Sequence, residues 1–128
     1  MKKIFISMPL EGYDIVERHN TAYQARKAVR DTITRLTRAQ VSVVEVLHIL
    51  TVTNTIAPSV KIGRGCAAVA QSDMVIFLPG WEDDSRCFTE WCVAGALGKI
   101  IWYYDEFDKG KYNAQIRQEF KNQGTWRD

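Results

Sequence analysis

The stretch Asp73-Met74-Val75-Ile76-Phe77-Leu78-Pro79-Gly80 decides the fold. It opens on an aspartate, runs through five apolar side chains without polar alternation, and stops at a Pro-Gly pair that cannot continue a strand. An unbroken apolar run of this kind is a strand buried on both faces, as in a parallel sheet covered by helices. Towards the N-terminus, Lys3-Ile4-Phe5-Ile6-Ser7-Met8 has the same character and is stopped by Pro9 and Gly12. Val41 to about Val46 is β-branched and apolar, and Lys99-Ile100-Ile101-Trp102-Tyr103-Tyr104 supplies a fourth strand. Helical spacing fills the intervals. From Asp14, a plausible N-cap, to about Arg38, the residues Ile15, Ala22, Ala25, Val29, Ile33 and Leu36 form one stripe. Ser59 to Ala70 is a shorter helix, weakened by Gly63 and Gly65 at about 1 kcal/mol each relative to Ala. Ser85 to Leu97 is helical with Gly98 as its stop, and Tyr112 to Lys121 closes the chain. Leu47 to Pro58, rich in Thr and Val, reads as a strand extension or as a loop lining a pocket. The alternation predicts one α/β domain over residues 1–128, with a mostly parallel sheet of four or five strands and helices on both faces.

Composition narrows the function. Seventeen basic and 15 acidic residues leave a net charge of +2, so there is no electrostatic footprint for duplex nucleic acid. A small anion needs only one or two local arginines and stays within reach. Cys66, Cys87 and Cys92 are odd in number and lack paired C-x-x-C spacing, which argues against a disulfide framework or a zinc site. Trp91 and Trp102 read as core, and Arg64 faces either solvent or a phosphate. The apolar run Ile4 to Leu10, interrupted by Ser7 and Pro9, is too short for a signal segment or a membrane span. We therefore expect a soluble cytoplasmic protein, a homodimer, with no metal and no cofactor.

In a parallel sheet ligands bind beyond the carboxyl ends of the strands. That makes Met8–Tyr13, Leu47–Pro58 and Pro79–Arg86 the candidate loops, with His48 as a possible pocket residue in the second. The third is the informative one. Between strand and helix it carries Gly80, Trp81, Glu82, Asp83, Asp84, Ser85 and Arg86. Asp84 or Ser85 can cap the helix, whose bare first-turn amides then offer an anion site, and Trp81 can stack on a base. The plainer alternative is a solvated acidic turn. Glu90 weighs against it, because it shares a helix face with Val93 and Leu97, a face that normally packs on the sheet. A carboxylate aimed there is costly unless paired or used; otherwise Glu90 is a partly exposed helical residue.

These residues carry a resemblance. Lys3-Ile4-Phe5-Ile6-Ser7-Met8-Pro9 with Gly12, the run Ser72 to Trp81, and Glu90 with Ala94 and Leu97-Gly98-Lys99 resemble the nucleoside 2-deoxyribosyltransferase superfamily. They are closest to its short phage and bacterial domains, and the similarity spans roughly residues 2 to 105. The resemblance implies a flavodoxin-like fold and cleavage of the N-glycosidic bond of a nucleoside or nucleotide. It assigns Glu90 as the nucleophile on the anomeric carbon and Asp73, at the start of the third strand, as the acid that helps protonate the leaving base, where burial would raise its pKa; otherwise Asp73 is a helix-stop or turn residue after Ser72. Asp84, six residues before Glu90, takes the sugar-holding position, although Ser85 and Arg86 would form a phosphate site if the loop were shifted by one. Ser7, Met8 and Gly12 fall in the sugar-contacting first loop. The chemistry is coherent: a carboxylate nucleophile divides a difficult displacement into two easier ones, and a protonated carboxyl assists departure of the base. Arg86 and Phe88-Thr89 depart from the pattern, standing where the family is usually glycine-containing. That departure keeps a second reading in view, a pocket that binds a nucleotide without turnover, and a third, an interaction protein with a vestigial pocket.

Overall fold

The structure is a computed structural model describing residues 1–47 and 57–121. His48 and most of the Leu47–Pro58 stretch lie outside the described residues. Four strands form one all-parallel sheet: β1 (Lys2–Ser7), β2 (Val41–Glu45), β3 (Met74–Phe77) and β4 (Ile100–Tyr103), in the order β2-β1-β3-β4. The register sets Lys2 beside Val41, Ser7 beside Phe77, and Val75 beside Ile101. Met74, Val75, Ile76 and Phe77 are all buried, as are Ile4, Phe5 and Ile6, which is why neither central strand alternates.

The helices are α1 (Ile15–Thr37), α2 (Pro58–Gln71), α3 (Ser85–Ala96), α4 (Tyr104–Asp108) and α5 (Asn113–Phe120). Right-handed crossovers that leave β1 in opposite directions must place their helices on opposite faces of the sheet. Accordingly α1 packs against β2 and α5, while α2 packs against α3 and β1. The result is the doubly wound, flavodoxin-like arrangement the sequence predicts.

Local chemistry explains the boundaries. Asp14 caps α1 through a complete capping box: its Oδ1 accepts from the Glu17 amide at 2.8 Å, and Glu17 Oε1 accepts from the Asp14 amide at 3.2 Å. Helix α2 runs to Gln71 in spite of its two glycines, for a reason found in the site. A 3₁₀ turn, Trp81–Asp83, separates β3 from α3 and begins at Gly80, whose φ of +90° suits a residue without Cβ. The expected helix from Tyr112 is preceded by α4, absent from the sequence reading because Trp102-Tyr103-Tyr104 reads as strand throughout. None of the described helices is long and apolar enough to cross a membrane.

Candidate functional site

The strand order reverses between β1 and β3, so the crevice of this sheet opens at their carboxyl ends. Ser7 ends β1 there, and α3 starts there after the 3₁₀ turn. Asp84 is the N-cap of α3, its Oδ1 accepting from the Cys87 amide at 2.9 Å. This fixes the phase of the helix and turns Glu90 inward, where it is wholly buried.

The carboxylate of Glu90 is enclosed. Ser7 Oγ donates to Oε1 at 2.6 Å. Arg86, one turn earlier on α3 and 8% exposed, spans both oxygens with a single nitrogen, Nη1 lying 3.0 Å from Oε1 and 2.8 Å from Oε2. Its Nη2 donates to the Met8 carbonyl and approaches Cys87 Sγ at 3.5 Å. From α2, Gly65 closes the remaining side: a Cβ there would stand 1.8 Å from Glu90 Oε2, a separation no real side chain adopts. Gly65 therefore marks a close helix approach, which repays its low helix propensity. Burial pushes the Glu90 carboxyl above its ordinary range, against the lowering effects of Arg86 and the Ser7 hydroxyl. Burial also opposes the charge of Arg86, but the neighbouring Glu90 carboxylate holds that group above its usual value.

Beside this buried cluster lies a cleft of about 240 Å³ between the β1–α1 loop and the first turns of α2 and α3. Arg18, Lys61, Ser85 and Arg86 line it together with Glu11 and Asp84. Arg18 is positioned by donating from Nε to the Leu10 carbonyl at 3.0 Å. Three cations and two carboxylates share this opening at a helix start, with Arg86 paired to Glu90, so Arg18 and Lys61 are the cations through which it could meet an oxyanion.

The structure thus brings together Ser7, Met8, Arg86 and Glu90 in direct contact, with Asp84 and Ser85 on the adjoining cleft. Gly80 lines a second cleft with Pro9, Tyr13 and Asp84, and Gly12 adopts φ +85° in the first loop. One expectation needs correction. Asp73 is exposed, lies before β3 rather than in it, and accepts from the Lys3 amide at 2.8 Å. Ser7 pairs with Phe77, so Asp73 stands at the opposite edge of the sheet, four residues or about 13 Å along the strand. It cannot act on a base held near Glu90. Trp81 is half-buried: it packs on Phe77 (centroids 5.4 Å apart), Trp91 (5.3 Å) and Tyr103 (5.8 Å) and lines a separate cleft with Gly80 and Glu106. Trp91 belongs to that aromatic layer, Trp102 is core as expected, and Arg64 is exposed. Glu11, Arg18, Lys61 and Gly65 were missed. Only Glu11 carried a signal, its place beside Gly12 in a predicted functional loop.

Comparison with protein-family models, with curated proteins and with solved structures finds no match to this chain.

Proposed function

We propose that this protein cleaves or transfers at the N-glycosidic bond of a nucleoside or nucleoside 5′-monophosphate, with Glu90 as the nucleophile. The observation that carries the proposal is a buried carboxylate at the sheet's switch point, separated by one arginine from a cation-lined cleft. A carboxylate oxygen of Glu90 bonds to the anomeric carbon as the C–N bond breaks, and the electron pair leaves with the base. The departing base takes its proton from water in the cleft. Water, or a second base, then attacks the anomeric carbon, loses its proton to solvent in the cleft, and returns Glu90 as carboxylate. Arg18 and Lys61 favour a 5′-phosphate over a bare hydroxyl, since a phosphate at the cleft would otherwise meet the charge of Asp84 unopposed.

A second reading rests on a specific observation: both oxygens of Glu90 are already engaged by Arg86 and Ser7. A pocket held in that state binds a nucleotide and turns nothing over. One assay separates the two. Incubation with a panel of nucleosides and 5′-monophosphates should release free base, and Glu90→Gln should reduce the release roughly a thousandfold or more while the fold persists. Saturable nucleotide binding without any base release would leave the binding reading in possession.

A further inference from the structure

Arg86 has two faces. One holds both oxygens of Glu90 and the Met8 carbonyl; the other lines the cleft with Arg18, Lys61 and Ser85. Glu90, wholly buried, lines none of the described clefts. Arg86 thus joins the carboxylate to the ligand space. Among the described residues, Gly65 packs on the α2 side of the carboxylate and Arg86 touches both the carboxylate and the cleft.

We propose that Arg86 is a ligand-operated latch: a phosphomonoester entering the cleft replaces Glu90 as the partner of the guanidinium, and its swing towards the cleft uncovers the carboxylate. This rests on the reading of Glu90 as nucleophile, and it names what admits a substrate to it. The exchange keeps Arg86 paired throughout, carboxylate oxygens for phosphate oxygens, so the cation is never left alone in a buried site. Arg18 and Lys61 hold the incoming group where Arg86 must reach it. An unphosphorylated nucleoside offers the guanidinium only neutral acceptors, too weak to replace a carboxylate, and leaves the latch shut. Ser7, whose hydroxyl stays on Oε1, keeps the freed carboxylate oriented.

The test is a double-mutant cycle read by binding of inorganic phosphate, with circular dichroism confirming that each variant is folded. Glu90→Gln should bind phosphate roughly ten- to a hundredfold more tightly than wild type, the worth of a charge-assisted bond released for the ligand. Arg86→Ala should bind weakly, and adding Glu90→Gln to it should then change little. A gain from Glu90→Gln that persists without Arg86 is mere relief of through-space repulsion and overturns the latch, as does no gain at all. Should Arg86→Ala not fold, the carboxyl carbon of Glu90 in wild type is followed by NMR: a shift saturating with phosphate supports the latch, and a signal that ignores phosphate overturns it. A tethered phosphate is told from a free one by comparing base release from a 5′-monophosphate with release from the nucleoside plus inorganic phosphate. Stimulation by either form supports the latch. Equal release from nucleoside and monophosphate, with no response to phosphate, overturns the latch and leaves Glu90 as nucleophile. Phosphate coupling without any base release leaves the latch and removes the nucleophile.

Discussion

At the scale of single residues, Glu90 and Arg86 are a buried pair whose balance sets measurable behaviour. Removing one partner of such a pair leaves the other charge buried and costs about 3–5 kcal/mol. Glu90→Ala should therefore destabilise the fold strongly, while Glu90→Gln retains an acceptor for Nη1 and should cost less. The pH dependence has a definite sign. Burial raises the Glu90 carboxyl in the folded state above its ordinary value of 4.5. A group raised on folding contributes stability that is complete below the unfolded value and is lost as pH climbs through the folded one. Lowering the pH from neutral to about 5 should thus raise the denaturant midpoint of wild type relative to Glu90→Gln. A relative fall would mean that Arg86 and Ser7 outweigh burial. The cysteines offer a simpler check. Burial pushes the Cys87 thiol up to about 12, whereas Cys92 is exposed, so a thiol reagent at neutral pH should label Cys92 and spare Cys87 in the folded protein.

At the scale of elements, two glycines in one helix should respond in opposite directions. Nothing lies within 4 Å of a Cβ built at Gly63, so Gly63→Ala should stabilise by about 0.5–1 kcal/mol through helix propensity. Gly65→Ala drives its methyl into Glu90 Oε2, and an overpacking cost of about 1–3 kcal/mol outweighs the same propensity gain. Thermal denaturation of the two variants checks both signs, and a stabilised Gly65→Ala would show that α2 does not press on the carboxylate. The same helix shows where sequence stops informing. Gly63 and Gly65 look alike along the chain, and only the approach of α3 gives the second a purpose. By contrast the strands were legible, because Met74 to Phe77 and Ile4 to Ile6 bury both faces and need no long-range knowledge to be recognised. The inward phase of Glu90 is read from its spacing to Val93 and Leu97, but Leu97 is 53% exposed at the C-cap and the buried neighbour on that face is Ala94. The closure of Glu90 by Arg86 was not legible: an i, i+4 Glu–Arg pair is usually a surface feature, and nothing local says that this one is buried. The packing of Trp81 on Trp91 and Tyr103 was not legible, because those rings come from other elements.

For the whole molecule, the doubly wound topology places the switch-point crevice where β1 and β3 diverge, and Ser7 and Glu90 meet there. Asp73 fails as a partner for the same reason, since a parallel strand carries its first and last residues to opposite edges of the sheet. The central claim is that Glu90 becomes covalently attached to the sugar. Its most direct measurement is mass spectrometry of intact and digested protein, acid-quenched during turnover of a nucleoside 5′-monophosphate. The account predicts a pentose phosphate ester on the peptide containing Glu90, absent from Glu90→Gln. Base release that proceeds undiminished in Glu90→Gln, with no adduct in either protein, would contradict it.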